Sequence, residues 1–259
     1  MKELKFPKEE WIGKRVKRKE DPRFLTGTGT FTDDIQIPGT LYAVLVRSPY
    51  AHARIKKIDL SKALEVPGVV CSITGEEVAE CTSPVPNNLR EPYSEIEDYC
   101  LAVGKARYAG EPVAAVVVED KYLAEDILEL VQVDYEALDP VVNPEKAMES
   151  ESVLVHENVP SNVVWDGKYN YGDVEGAFEE ADLVVKDRLY FHRFTSAPLE
   201  NAVVIADFDK RWGRLTIWSN TQRPMFNHRF IAHALRFPGE QIRYITPDIG
   251  GGFGIKNDI

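Results

Sequence analysis

Apolar and polar positions follow one another in short runs along this chain, and the runs predict an α+β protein. Positions 41–46 read as a half-buried strand, and the unbroken run Val113-Ala114-Ala115-Val116-Val117-Val118 as a fully buried one. Leu123, Ala124, Ile127, Leu128 and Val131 then recur at helical spacing across 122–130 before Val133-Asp134-Tyr135 resumes an extended pattern, which predicts a strand–helix–strand element. Pro140, Pro144 and the acidic stretch 145–151 read as a linker, dividing the chain into 1–142 and 143–259. Beyond it, Asp173 is placed to cap a short helix through Ala181. Leu183-Val184-Val185 begins a strand carried towards Phe191, and 201–208 with 214–218 predict a hairpin around 209–213.

The last fifty residues predict another strand–helix–strand unit, with strands at 215–218 and 241–245 and a helix over 222–236. Phe226, Phe230, Ile231, Ala234 and Leu235 supply the helical spacing, Pro224 is tolerated in the first turn, and Pro238-Gly239 stops the helix. If the strands are parallel, Gln222 and the run Gly250-Gly251-Gly252-Phe253-Gly254 face each other at one sheet edge, where open α/β sheets bind ligands. Glycines permit left-handed backbone and close approach, so this run predicts a loop shaped around another group. A phosphate-binding loop needs Gly-Lys-Ser/Thr where Ile255-Lys256-Asn257 stands, and a dinucleotide fingerprint from Gly250 needs glycine or alanine at Ile255. The loop therefore reads as a site for some other group, or as a turn serving geometry alone.

Charge narrows the classes of partner. A formal net charge of −11 over 259 residues argues against a nucleic-acid surface or an anionic membrane. No apolar run approaches the roughly 20 residues that span a bilayer, and 1–10 lacks a hydrophobic signal core, so a cytoplasmic protein is expected. Cys71, Cys81 and Cys100 lack the close spacing of zinc or iron–sulfur ligands and are expected as buried or partly buried free thiols. His52, His192, Glu111 and Glu200 read as structural or surface residues, and Glu175, Glu179 and Glu180 as a solvated helix face.

Several separated stretches together resemble one family. Thr221-Gln222-Arg223-Pro224 and Pro247-Asp248-Ile249-Gly250-Gly251-Gly252-Phe253-Gly254-Ile255-Lys256 are similar to the molybdenum-binding large subunit of the xanthine dehydrogenase/aldehyde oxidase/carbon monoxide dehydrogenase family. Upstream, Arg23-Phe24-Leu25-Thr26-Gly27, 47–55, Tyr108-Ala109-Gly110-Glu111-Pro112 and Ala197-Pro198-Leu199-Glu200 extend the resemblance in order through nearly the whole chain. The contexts of Glu200 and Gln222 are most like the carbon monoxide dehydrogenase-like branch. The resemblance implies an α/β hammerhead domain over 1–142, followed by the first part of a molybdopterin-binding α+β domain over 143–259.

It also implies chemistry and partners. The cofactor would be a molybdenum-bearing molybdopterin, either plain or as the cytosine dinucleotide, held only in an assembled complex. Gln222 matches the glutamine whose side chain approaches a metal ligand, and Gly252, Phe253 and Gly254 match the loop whose amides face the same ligands. Such groups donate hydrogen bonds without adding charge. The family's catalytic glutamate base, substrate loop and most pterin-binding segments lie downstream and have no counterpart here. No catalytic residue or direct metal ligand is therefore expected in this chain, which is predicted inactive alone and prone to self-association. The expected partners are a complementary C-terminal molybdopterin-binding polypeptide, as from a split or truncated subunit, and subunits carrying FAD and iron–sulfur clusters. The competing reading is a non-enzymatic remnant or assembly module that binds no cofactor.

Overall fold

In a computed structural model of the chain, covering residues 13–87 and 89–257, the apolar run at 112–118 lies at the centre of the first half. Strand β5 (Pro112–Val118) pairs antiparallel with β1 (Tyr42–Arg47) on one side and β3 (Val69–Thr74) on the other. Val113, Ala114, Val116 and Val118 are fully buried because both of its faces are covered. Helix α1 (Asp21–Leu25) precedes this sheet, while α2 (Ser61–Leu64) and α3 (Gly75–Cys81) flank β3. Thr74 and Glu77 form a reciprocal capping box at the start of α3.

The strand–helix–strand element expected after Val113 forms, but it does not remain in one sheet. Helix α4 (Leu123–Leu128) packs Ile127 against Val116 and Val118, then delivers β6 (Gln132–Ala137) to a second sheet with order β4-β2-β6. There, β2 (Ala53–Asp59) pairs antiparallel with both β4 (Lys105–Ala106) and β6. Both edges of β5 are already occupied, so no site beside it remains for a returning parallel strand.

The expected linker is partly ordered. Asn143 accepts from the amides of Glu145 and Lys146, starting helix α5 (Pro144–Ala147). Beyond it, Lys105 donates to the Val155 carbonyl at 2.7 Å and pairs with Glu157 at 2.6 Å, fastening this stretch to β4. Asp173 caps α6 (Val174–Glu179) through the Gly176 amide, as its position predicts.

Two expectations are revised by the structure. No strand forms over 183–191, where Leu183, Val185, Leu189 and Phe191 stand exposed, because no neighbour among the described residues takes up their backbone hydrogen bonds. All three cysteines, expected as buried or partly buried, are free thiols of exposed residues, although burial still pushes the Cys100 thiol up. Cys71 lies on β3 and Cys81 ends α3, so both occupy ordered elements, but neither belongs to the core clusters.

The second half is built on a third sheet, order β7-β8-β9. Strands β7 (Val204–Asp209) and β8 (Arg214–Ser219) form the predicted hairpin, and β9 (Ile242–Ile245) lies parallel to β8. Helix α7 (Pro224–Ala234) makes the crossover and packs on β9. It starts later than the periodicity predicts: Arg223 has φ −130° and ψ 57°, because a residue before proline is driven out of the helical region. Gln222 thus lies on the turn before the helix. At the other end Arg236, with φ 50°, and Phe237 close the carbonyls of His233 and Ala232.

The expected apolar face of α7 is only partly covered. Its one buried residue is the polar Asn227, while Phe226 remains half exposed beneath the Arg223 guanidinium, 4.2 Å from the ring centroid. The two halves meet where Arg236 reaches Ser83 and Thr82, and where Arg23 pairs with Asp248 beyond β9.

Candidate functional site

Parallel pairing of β8 and β9 sends the turn after β8 and the loop after β9 to the same sheet edge. The sequence argument required this juxtaposition, and the side chains complete it. Gln222 Oε1 accepts from the Gly254 amide at 3.0 Å, and the Gln222 amide donates to the Lys256 carbonyl at 2.9 Å. The Thr221 hydroxyl donates to the same carbonyl at 3.0 Å and accepts from Asn227 Nδ2 at 2.7 Å. The buried polar residue of α7 therefore serves to fix the turn that carries Gln222.

The loop is folded tightly against these groups. Gly251 and Gly254 have φ +99° and +96°, and Phe253, at φ 48°, also lies in the left-handed region. Gly252 needs its missing side chain for space: an added Cβ would stand 2.4 Å from Gln222 Cδ. Among the described residues no acceptor meets the amides of Gly251, Gly252 and Phe253, nor does any partner meet Gln222 Nε2. Phe253 itself is exposed, and its carbonyl accepts from the Ser196 hydroxyl.

Glu200, expected to be structural, is the charged anchor of this loop. Its Oε2 accepts from the Gly250 amide at 2.7 Å and from Lys256 Nζ at 2.8 Å. Lys256 is 3% exposed, so its ammonium is compensated by this carboxylate rather than by water. Burial pushes the Glu200 carboxyl upward, yet Lys256, the Gly250 amide and Asn220 together hold it below its ordinary value. Its other oxygen is buried and has no partner among the described residues. Glu200 and Lys256 lie 56 positions apart, and no local spacing links them. The loop's approach is also braced by Asp248, which Arg23 holds below its ordinary carboxyl value and which accepts from the Thr30 amide at 2.9 Å.

The remaining titratable candidates lie elsewhere. His52 is buried and bonds the Asp139 carbonyl at 2.8 Å, while His192 is exposed beside Tyr190. Glu111 accepts from the Arg107 amide in a cavity of about 320 Å³ also lined by Asp98 and His156. Burial raises the Glu111 carboxyl and lowers His156, consistent with a packed, partly dry pocket. The exposed α6 face bears Glu175, Glu179 and Glu180 as expected. No group of His, Cys, Asp or Glu able to hold a metal occurs among the described residues, and no described helix is long and apolar enough to cross a membrane.

The cluster can therefore present neutral donors to an acceptor-rich group. A group whose oxygen or sulfur ligands accept hydrogen bonds fits the free amides, and the cradle that a Cβ at Gly252 would fill leaves room for the Gln222 side chain beside them.

Both halves of the chain also match known proteins. Residues 26–139 match the family profile for the aldehyde oxidase and xanthine dehydrogenase a/b hammerhead domain, and residues 155–259 match that for the molybdopterin cofactor-binding domain. The chain is 39% identical over 256 residues to the 6-hydroxypseudooxynicotine dehydrogenase complex subunit gamma of Paenarthrobacter nicotinovorans, covering 96% of this chain and 32% of that protein. It is 38% identical over 260 residues to the carbon monoxide dehydrogenase large chain of Afipia carboxidovorans, covering 95% and 31%. Quinoline 2-oxidoreductase from Pseudomonas putida 86 superposes with a TM-score of 0.87 at 34% identity, over 96% of this chain and 32% of that one. The chain thus spans about a third of the length of these relatives.

Proposed function

The chain belongs to the aldehyde oxidase/xanthine dehydrogenase family as an N-terminal part of its molybdenum-binding large subunit, and from that premise we propose that it forms one wall of a molybdopterin site in an assembled oxidoreductase. The observation that carries the proposal is the 3.0 Å contact between Gln222 and Gly254 beside amides that have no acceptor among the described residues. In this reading Gln222, Gly252, Phe253 and Gly254 hold the ligands of the cofactor metal, residues 143–259 supply that wall, and residues 1–142 form the hammerhead domain. The bound molybdopterin, plain or as its cytosine dinucleotide, would supply two-electron redox chemistry at the metal. The residues of this chain orient it, Gln222 Nε2 and the loop amides donating to its ligands while adding no charge.

The remaining parts of the reaction are assigned to partners. A polypeptide corresponding to the other two-thirds of the relatives' length supplies the base and the substrate pocket, and subunits with iron–sulfur clusters and FAD remove the electrons. The substrate is a small oxidisable molecule, with carbon monoxide, an aldehyde or a nitrogen heterocycle as candidates drawn from the family and the relatives' names. The test is co-expression of this chain with such a polypeptide, followed by measurement of molybdenum and released pterin. Stoichiometric cofactor in the complex, with a metal spectrum altered by Gln222→Ala at unchanged thermal stability, is the expected result. A complex that assembles without pterin would favour the assembly-module reading, and an unchanged spectrum would return Gln222 to a turn residue.

A further inference from the structure

The glycine loop is closed by one carboxylate oxygen. Glu200 Oε2 holds the Gly250 amide at 2.7 Å and Lys256 Nζ at 2.8 Å, so both ends of the 250–256 span are tied to a single atom. The tie extends to Gln222 through Lys256, whose carbonyl receives the Gln222 amide and the Thr221 hydroxyl. From Gln222 it returns to the loop at Gly254, completing a ring of contacts from Glu200 through Lys256 and Gln222 to the Gly254 amide. Glu200 also shapes the loop by volume, because its Cβ lies 2.6 Å from where a Cβ on Gly250 would stand. None of these contacts uses the amides of Gly251, Gly252 and Phe253, which have no acceptor among the described residues.

Resting on the function proposed above, we propose that Glu200 is a positioning residue: its carboxylate clasps the glycine loop to Lys256 and thereby sets Gln222 and the loop amides in register for the cofactor's ligands. Glu200 touches neither the cofactor nor the metal in this role and acts through Lys256 and Gly250. The apolar alternative to the ion pair separates this role from bulk stability. Replacing one partner strands a buried charge, whereas replacing both by apolar groups of similar size removes the charge problem together with the clasp. The informative variant is therefore Glu200→Leu combined with Lys256→Met, with Glu200→Asp as the conservative control that keeps the carboxylate opposite Lys256.

Hydrogen exchange is measured on the full chain for peptides covering 246–257 and, as an internal reference, β5. In the double variant the bonded amides of Gly250 and Gly254 are expected to exchange about 10-fold faster while β5 is unchanged, and Glu200→Asp to recover most of the protection. Equal protection of the loop in parent and double variant would overturn the clasp, and so would parallel loss of protection in loop and β5. The second measurement is made on the complex carrying the remaining polypeptide. There the double variant is expected to retain pterin but show an altered molybdenum paramagnetic signal, whereas an unaltered signal alongside faster loop exchange would overturn the positioning role. Failure of the proposed function itself would be separately visible, since the parent complex would then contain no pterin, and the positioning role would fall with it.

Discussion

Gly252→Ala places the contact between Gln222 and the loop under direct strain. The new Cβ would stand 2.4 Å from Gln222 Cδ and 2.6 Å from its Cγ and Oε1. Gly252 is not among the residues with positive φ, so the backbone accepts alanine and only space is at issue. The obstructing atoms end an exposed, flexible side chain, and so the glutamine moves rather than the sheet. Its movement breaks the 3.0 Å bond to the Gly254 amide, worth about 0.5–1.5 kcal/mol net. The freed amide belongs to an exposed residue and is taken up by water, so no burial penalty is added. Alanine also restricts the unfolded chain, returning about 0.4–1 kcal/mol. The net change is therefore within about 1 kcal/mol, a shift in Tm of no more than about 4 °C for a chain of this size. Thermal unfolding followed by circular dichroism measures the first quantity, and amide exchange at Gly254 measures the second. The expected pair is a nearly parental Tm with faster exchange at Gly254. A destabilisation above about 3 kcal/mol, which would require the backbone to give way, refutes the reasoning. So does an unchanged Gly254 amide.

The same substitution elsewhere should behave oppositely. At Gly75 an added Cβ would lie 2.0 Å from the Ala102 carbonyl oxygen and 2.7 Å from its carbon, both backbone atoms, so Gly75→Ala should cost more than about 2 kcal/mol in chemical denaturation. The Glu200 carboxyl is held below its ordinary value in the folded chain, so its stabilisation is complete at neutral pH, above the unfolded value of about 4.3, and is lost as pH falls through the lowered folded value. The stability gap between the parent and Glu200→Gln should accordingly be widest near pH 7 and close under acid; a gap that widens on acidification contradicts the assignment. The chain loaded with molybdenum but lacking its partner should not oxidise aldehydes, purines or carbon monoxide with an artificial acceptor, and measurable turnover would remove the need for a base on another polypeptide.

The parts of this fold legible in sequence are those whose signals are local. The run at 112–118 needed no context to be read as a buried strand, and Pro224 with Pro238-Gly239 bracketed α7 to within about two residues. Gln222 and Gly252 to Gly254 were brought together by topology alone, since parallel strands put the start of a crossover helix and the end of the following strand at one edge. The missed features depend on distant choices. Whether β6 returns beside β5 is decided by β1 and β3 occupying both edges, which no window around 112–137 reveals. Glu200 looked like a turn residue because its partners, Gly250 and Lys256, lie fifty and fifty-six positions away. The available signal was an acidic residue and a lysine both falling inside family-like motifs, a hint of pairing that spacing cannot express.

The contrast between the glycine loop and 183–191 has a single physical origin. A strand satisfies its backbone only through neighbours, unlike a helix, so apolar alternation at Leu183, Val185, Leu189 and Phe191 cannot produce a strand where no neighbour is present among the described residues. The loop after β9 is different because the groups that shape it, Glu200, Gln222 and Lys256, all belong to this chain. Its geometry is therefore set before any cofactor or second polypeptide arrives, and binding need not bear the entropy of ordering it. In the proposed assembly the exposed run would be ordered on association, with the burial of its side chains offsetting that cost. Under the proposed function, cofactor geometry and subunit association would reside in separate parts of the second half, and changes at Leu189 or Phe191 should weaken assembly while leaving the contact between Gln222 and Gly254 intact.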